Sequence, residues 1–463
     1  MNYDFIIIGG GSAGYAAART AVSLGLKTCV VDGAEELGGL CILRGCMPSK
    51  TLLATSSRAV SVRRAAEFGL RAGALEVHGD EILARKRRLI GEFADYRRGQ
   101  LENGKFDLIR GFARFVDSGT VDVTLRSGGV QRITGRTFLL ATGSVVSEPP
   151  LPSLKDVGYW TTDDVLESPH VPQSLIILGG GATAVEFATY YAGLGRDVTI
   201  IQRSEQLLKG ADADVAEALT HGLRERGVKV FAGTKLLRAE MSGAKKRITF
   251  EHEGSSVTVE AEQIIHALGR SPMVNGLGLD AAGIELTKGR PTMRATQQTS
   301  QPHIFAAGDV AGPFEIVHIA IQQGEIAARN AARLLTSSGP MEEADYRLKL
   351  SVIFSDPEVA ECGANERELR AGGISFRTAK YPFNDHGKSL CMGETHGFVK
   401  LISAEQGGEI LGAAVVGPHA AELIHEIVVA MRFRATARQL AEIPHYHPTL
   451  SEIWTYPAEE LAE

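Results

Sequence analysis

Two stretches of the chain repeat one pattern of apolar and polar positions. Residues 3–33, "YDFIIIGGGSAGYAAARTAVSLGLKTCVVDG", run as an apolar strand, a glycine-rich turn, an alanine-rich helix and a second apolar strand that ends in Asp32. Residues 173–203, "QSLIILGGGATAVEFATYYAGLGRDVTIIQR", follow the same order. A short unbroken apolar run bounded by glycines predicts a strand buried on both faces, and the helical spacing after it predicts a crossover helix. Elsewhere the pattern predicts helices over 45–63, 80–103, 212–227 and 316–335, and short strands with glycine turns over 107–143. From about 343 the chain alternates as half-buried strands do ("GFVKLIS", "EILGAAVVG"), and an amphipathic helix follows over 419–433. Breaks near 148 (the Pro-rich "SEPPLP"), 271 and 342 divide the chain, and residues 1–148 rejoin 272–341 around an inserted segment 149–271.

The glycines say what the repeats are for. Gly9-x-Gly11-x-x-Gly14 follows a strand and opens a helix. Gly9 permits the tight turn, Gly11 lets the backbone approach a pyrophosphate, and Gly14 lets helix and strand pack closely. Asp32 then ends the next strand, where a carboxylate takes both ribose hydroxyls. In the second copy the pattern is Gly179-x-Gly181-x-x-Ala184, and Gln202 stands where Asp32 stood, followed by Arg203 and Lys209. A carboxylate would repel a 2′-phosphate, whereas these cations bind one, so the second site points to NADPH rather than NADH. The alternative is that Arg203 and Lys209 are ordinary surface charges. Two such units imply two dinucleotides in one α/β chain.

Composition narrows the picture further. At 463 residues the chain is long enough for several domains, and 49 basic against 55 acidic residues argue against a nucleic-acid partner. The one basic stretch, "ARKRRLIGEFADYRR" at 84–98, has helical spacing and reads as a solvated helix face, with phosphate or acidic-partner binding as the alternative. No apolar run is long enough for a membrane span, and the first strand lacks a basic leader; the expected location is cytoplasmic.

Five cysteines in such a chain suggest a reducing compartment. Cys41 and Cys46 lie five apart in "GGLCILRGCMPSK", with no second Cys or His pair nearby, so no metal ligands are expected there. A pair in a helical turn near positive charge forms a small reactive disulfide; two reduced core cysteines are the alternative. Cys29, Cys362 and Cys391 have no partner in sequence and read as structural.

"GGLCILRGCMPSK" resembles the GGTCxNxGCxPSK signature of the FAD-containing pyridine nucleotide-disulfide oxidoreductases, a family that includes dihydrolipoamide dehydrogenase, glutathione reductase and mercuric reductase. "LLATGS" (139–144), "ALGRSP" (267–272), "IFAAGDV" (304–310) and "HPTLSE" (447–452) resemble further motifs of that family, in order. The resemblance implies two Rossmann-like domains, for FAD (1–148 and 272–341) and NAD(P)H (149–271), and a C-terminal α+β dimerisation domain (342–463). It implies a homodimer that passes electrons from NAD(P)H through FAD and a Cys41–Cys46 disulfide to a small-molecule or protein-bound disulfide, or runs in reverse on a dithiol.

Residue by residue, Gly9, Gly11, Gly14 and Asp32 would hold the adenosine end of FAD and Asp309 its ribityl chain. The Ala113 backbone, Thr142, Gly143 and Ser144 would line the same cofactor. Gly179, Gly181, Ala184, Arg203, Lys209 and Gly269 would serve the nicotinamide cofactor. Lys50 and Glu186 match an ion pair beside the flavin. Cys46 would face the flavin, Cys41 would meet substrate, and His447 would come from the other subunit as acid–base, oriented by Glu452.

Leu40, Leu43 and Arg44 depart from the signature, and Ala182 stands where glutathione reductase has a Tyr. "YPAEELAE" carries no cysteine pair and residues 1–463 show no extra metal-binding N-terminal domain, so mercuric reductase is the less expected member. "HYHPTLSE" fits dihydrolipoamide dehydrogenase, whereas Ala184 and Arg203 fit glutathione reductase. A metal-ion or quinone reductase and a non-catalytic redox sensor are the alternatives.

Overall fold

The computed structural model describes residues 1–463 and divides into two compact units. One comprises Met1–Ser49, Ala84–Ser147 and Arg270–Asp345; the other comprises Lys50–Leu83, Glu148–Gly269 and Tyr346–Glu463.

In the first unit the strand Asn2–Ile8 lies between the parallel strands Thr28–Asp32 and Val130–Leu140. Asp107–Asp117 and Ile304–Ala306 extend this sheet on either side, also in parallel. The far half of Asp107–Asp117 pairs antiparallel with Thr120–Leu125, which returns to the start of Val130–Leu140. Alternate residues of the apolar run serve different cores. Ile6 and Ile8 pack with Phe115 and Phe138, while Phe5 and Ile7 pack with Ala17, Ala18 and Ala327 on the helices. That is why the run carries no polar position. Helix Val317–Thr336 lies against helix Ser12–Ser23 so closely that a Cβ on Gly324 would overlap the Ala13 carbonyl oxygen. One turn is pinned from that helix: the buried Gln323 accepts from Gly308 N–H at 2.8 Å and donates to Gly312 O at 2.7 Å. Asp309 lies between the two residues it holds.

The second unit holds three sheets. Ser174–Leu178 lies between parallel strands Gln263–His266 and Asp197–Ile201, with Lys229–Phe231 outside. Helices Ala182–Gly193 and Ala213–Glu225 follow the glycine turn and the second strand. Three antiparallel strands span Lys235–Ala261. A five-stranded antiparallel sheet, in the order Leu350–Ile353, Glu358–Gly363, Ile410–Gly417, Phe398–Ala404 and Phe376–Pro382, carries helix Ala420–Arg432 on its core face.

The expected helices are present as Cys46–Arg63, Gly79–Leu101, Ala213–Glu225, Val317–Thr336 and Ala420–Arg432. The basic stretch is a solvated face only in part. Arg85, Arg87, Arg88 and Arg98 are exposed, but Lys86 is buried and the Arg97 guanidinium stacks 4.3 Å from the Tyr15 ring centre. Helical spacing brings the 86 and 97 positions onto the inward side, where a long aliphatic stem is accommodated as an apolar group would be. Cys29 and Cys362 are buried, and burial pushes both thiols up to about 12. Cys391 is instead exposed on the helix Gly387–Met392. No helix is long and apolar enough to cross a membrane.

Lys400 is a second inward lysine, fully buried in the strand Phe398–Ala404. Its Nζ meets Asp212 at 2.7 Å, Asp214 at 2.8 Å and Glu366 at 3.2 Å. Asp212 precedes helix Ala213–Glu225, yet its carboxylate accepts from the backbone N–H groups of Glu366 and Arg367 rather than capping that helix. The cation thereby ties the start of that helix to the five-stranded sheet. Lys400→Met removes the cation and leaves the carboxylates facing one another, so urea unfolding should show a loss of about 3–5 kcal/mol.

Candidate active site

The two glycine turns are superimposable in their contacts. Gly9 donates to Val31 O at 2.8 Å and Gly179 to Ile201 O at 2.9 Å. Both have left-handed φ values, +108° and +118°, and a Cβ on either would overlap a carbonyl oxygen, that of Ala141 or of Ala267. Gly14 sits so close to the Gly9 carbonyl that no side chain fits, whereas the second copy admits the buried methyl of Ala184. These approaches aim the first N–H groups of each helix into open space beyond the strand ends, where a pyrophosphate is stabilised. Gly181 is exposed, and a Cβ there would meet nothing within 4 Å.

The residues at the two strand ends differ, Asp32 in the first and Gln202 in the second. Asp32 accepts from Gly10 N–H and Ala34 N–H, both at 2.8 Å, which fixes the carboxylate at the edge of the first turn. Gln202 instead accepts from the Arg203 N–H at 3.1 Å, and Arg203 and Lys209 are exposed. The Lys209 carbonyl is taken by Arg367 at 2.9 Å.

Beyond the first turn, Ser144 donates to Asp309 Oδ2 at 2.7 Å, and Thr142 donates to Met273 O at 2.6 Å. Gly143, at φ +75°, accepts from Met273 N–H at 2.9 Å. Arg270 binds Ser144 through both its hydroxyl and its carbonyl at 2.8 Å. Ala113 lies three residues past the last pairing of its strand with Thr28–Asp32, its methyl in the core. Gly269 has φ +121° and open space around it.

Cys41 lies in the short helix Gly39–Arg44, and Cys46 is the first residue of Cys46–Arg63. Gly45 breaks the chain between them at φ −136°, ψ −113°. A Cβ at Gly45 would lie 3.0 Å from Leu40 O and 3.3 Å from Cys41 Cα, tighter than side chains ordinarily pack, so glycine eases the approach of the two cysteine backbones. Gly39, at φ +76°, packs on the first turn, where its own Cβ would be 2.6 Å from Gly11 Cα. The cysteine segment is thus built directly onto the phosphate turn. Cys46 heads an 18-residue helix whose N-terminal dipole stabilises a thiolate. Arg44 is exposed, and Leu43 packs on Gly38.

In the second unit, Lys50 Nζ sits 2.8 Å from both carboxylate oxygens of Glu186, which is almost fully buried in helix Ala182–Gly193. The Phe354 N–H also donates to Glu186 at 3.1 Å, and the Phe354 ring lies under Lys50. Ala182 is exposed at the start of that helix.

His447 Nδ1 is 3.0 Å from Glu452 Oε2, with the His447 side chain 79% exposed and that of Glu452 only 12% exposed. The nearby His445 is held at both ring nitrogens, by Ile443 O at 2.9 Å and Glu426 at 2.6 Å, and its side chain is 8% exposed. Geometry therefore separates two histidines that composition left equal. Behind Glu452, the buried His386 places Nε2 3.4 Å from the other oxygen and Nδ1 2.9 Å from Ser389 Oγ. Burial holds His386 below the usual imidazole range against the pull of Glu452, so at neutral pH it leaves the Glu452 charge to His447.

The sequence reading missed His386, Gln323 and Arg270. Arg270 lies inside "ALGRSP", so its signal was in a motif already singled out. The other two act across 66 and 14 residues, on Glu452 and Asp309, and have no local signature.

The family model described as pyridine nucleotide-disulphide oxidoreductase matches residues 3–324, and the dimerisation domain of the same family matches residues 350–458. The chain belongs to this family. It carries the family's FAD-containing α/β architecture and its dimerisation domain. A dihydrolipoyl dehydrogenase of Chlamydia muridarum is 33% identical over 459 residues, covering 98% of this chain and 96% of that protein. A mercuric reductase of Bacillus cereus is 32% identical over 453 residues, covering 97% of this chain and 70% of its own length. Among solved structures, LpdA of Mycobacterium tuberculosis superposes with a TM-score of 0.87 at 30% identity, over 99% of each chain. The HOCl-induced flavoprotein disulfide reductase RclA of Escherichia coli has a TM-score of 0.86 at 24% identity over 99% of each chain, a likeness of fold. The chain is accordingly a disulfide-reductase flavoprotein that resembles dihydrolipoyl dehydrogenases along its length.

The space left by Gly9, Gly11 and Gly14 is backbone-lined, and the Asp32 carboxylate is held at its edge, a shape that fits a dinucleotide. Gly14→Ala should force helix Ser12–Ser23 away from the strand, destabilise by about 1–3 kcal/mol, and lower the flavin-to-protein absorbance ratio of the purified protein.

Proposed function

We propose that this protein is an NADPH-dependent disulfide reductase of the dihydrolipoyl-dehydrogenase type that works through a Cys41–Cys46 disulfide. The placement of Cys46 at the head of its helix, one glycine from contact with the Cys41 backbone and built onto the phosphate turn, is the observation on which this rests. Residues 1–148 and 272–341 form the FAD-binding part, 149–271 the NADPH-binding part and 342–463 the interface of a homodimer. A cytoplasmic setting, in which thiols are kept reduced, matches the cysteine usage.

FAD, when bound, takes two electrons from the reduced nicotinamide and passes them to the enzyme disulfide. Asp32 holds its ribose hydroxyls and Asp309 its ribityl hydroxyls, with Ser144 and Arg270 fixing the Asp309 carboxylate. The Ala113 backbone, Thr142 and Gly143 line the same cofactor. By resemblance, the Lys50–Glu186 pair stands beside the flavin. Gly179, Gly181, Ala184 and Gly269 admit the dinucleotide in the second turn, and Arg203 and Lys209 take its 2′-phosphate.

The Cys41 thiolate attacks one sulfur of the substrate disulfide, forming a mixed disulfide and expelling a thiolate, which takes its proton from the imidazolium of the partner subunit's His447. The Cys46 thiolate then attacks the Cys41 sulfur, restoring the enzyme disulfide and expelling the second half of the substrate as a thiolate, which takes its proton from solvent. Glu452 holds His447 in the tautomer that presents Nε2 and stabilises its charged form.

A stopped-flow comparison of NADH with NADPH, followed by a panel of lipoamide, glutathione disulfide and Hg(II), tests the whole scheme. Faster flavin reduction by NADH at equal concentration would refute the coenzyme assignment, and turnover of Hg(II) alone would refute the substrate class. His447→Ala should lower disulfide turnover about 100-fold or more while the flavin is still reduced by NADPH. Arg203→Ala with Lys209→Ala should raise KM for NADPH about tenfold or more, with kcat and the NADH reaction little changed.

A further inference from the structure

A cluster in the second unit has no part in the chemistry above. His221 and Glu225 stand one turn apart on the helix Ala213–Glu225, and His396 approaches them from the turn before the strand Phe398–Ala404. The ligand atoms of the three side chains all lie within 4.8 Å of one another. His396 Nδ1 is 3.1 Å from Glu225 Oε2, and His221 Nδ1 is 3.7 Å from Glu225 Oε1.

The state of His396 follows from its other nitrogen. Nε2 is 2.8 Å from Ala218 O, and a carbonyl only accepts, so Nε2 carries the proton. In the neutral ring, Nδ1 is then a bare lone pair, yet it faces a carboxylate that is also acceptor-only. Two acceptors at 3.1 Å need a positive charge between them. A bound cation supplies that charge while leaving Nε2–H on its carbonyl. A ligating imidazole whose other N–H is bound to a backbone carbonyl is the usual second-shell arrangement of a metal site.

Two further observations agree. With bonds of about 2.0–2.2 Å, neighbouring donors of a tetrahedral site stand about 3.3–3.6 Å apart, and the imidazole–carboxylate separations of 3.1 and 3.7 Å, each to a different oxygen of Glu225, bracket that range. The helix is also indented where Pro357 and His396 approach it. Gly222 lies between His221 and Glu225, and a Cβ there would come within 3.1 Å of His396 Nε2 and overlap Pro357. Mid-helix glycine costs about 1 kcal/mol relative to alanine, and here it lets Pro357 pack against the helix beside His396. His221 and His396 line an open cleft of about 650 Å³, which gives an ion a path from solvent.

We propose that His221, Glu225 and His396 bind one divalent transition-metal ion per protomer, of the zinc class, with water completing the coordination, and that the ion clamps helix Ala213–Glu225 to the turn at His396. Two imidazoles and one carboxylate suit a borderline ion better than calcium or magnesium, which take oxygen ligands.

Zinc chloride titrated calorimetrically into the oxidised, FAD-loaded protein tests this, because the Cys41–Cys46 pair is then not available as thiolate. The expected result is one saturable site per chain, weakened about 10–100-fold in His221→Ala and in His396→Gln. His221 is exposed, so its truncation leaves the fold intact even where the His396 variant does not fold. Disulfide reduction by His221→Ala in metal-free buffer should match the parent. No saturable zinc binding, or the same isotherm in His221→Ala as in the parent, would overturn the proposal.

Discussion

Everything in the first unit is arranged around one backbone contact: Gly14 lies against the carbonyl oxygen of Gly9, with no room for a Cβ. That approach sets how closely helix Ser12–Ser23 follows the strand Asn2–Ile8, and hence where its free N–H groups point. The same lack of side chains recurs outward, in Gly39 against Gly11 and in Gly324 against Ala13. A methyl group at any of these positions would move a helix, and with it either the phosphate turn, the cysteine segment or the Gln323 clamp on the Asp309 turn. Dense glycine is thus the means by which three functional parts are held on one sheet edge.

The second copy of the turn shows how far that constraint can relax. Gly179 reproduces Gly9 in φ, hydrogen bonding and the carbonyl it approaches, but Ala184 tolerates what Gly14 does not. The acid at the strand end is also lost, and Gln202 turns to its own neighbour's N–H. The scaffold is preserved where sterics govern and free to change at the strand end, where no close backbone approach fixes the side chain.

The second unit relies on charge in places where an apolar residue is the common choice. Lys400 is buried among Asp212, Asp214 and Glu366, and the Lys50–Glu186 pair lies mostly out of water. Buried pairs of this kind add little net stability over hydrophobic packing, but breaking one is costly, so they fix geometry more than they add strength. Glu452 follows the same logic, held between the exposed His447 and the buried neutral His386.

How much was legible beforehand depended on the range of the forces involved. Both βαβ units, the helix boundaries to within about two residues, and the cysteine segment were readable because period, glycine position and spacing are local properties of the chain. The resemblance carried His447 and Glu452, five residues apart, for the same reason. Only tertiary structure showed how His447 and His445 differ in exposure and partners, turned Lys86 inward, placed His386 behind Glu452 and brought His396 to His221 and Glu225. Each of these depends on which remote group a side chain meets, and on whether water reaches it. A linear pattern records neither, since desolvation and partner choice arise only when the sheets have closed over the residues between them.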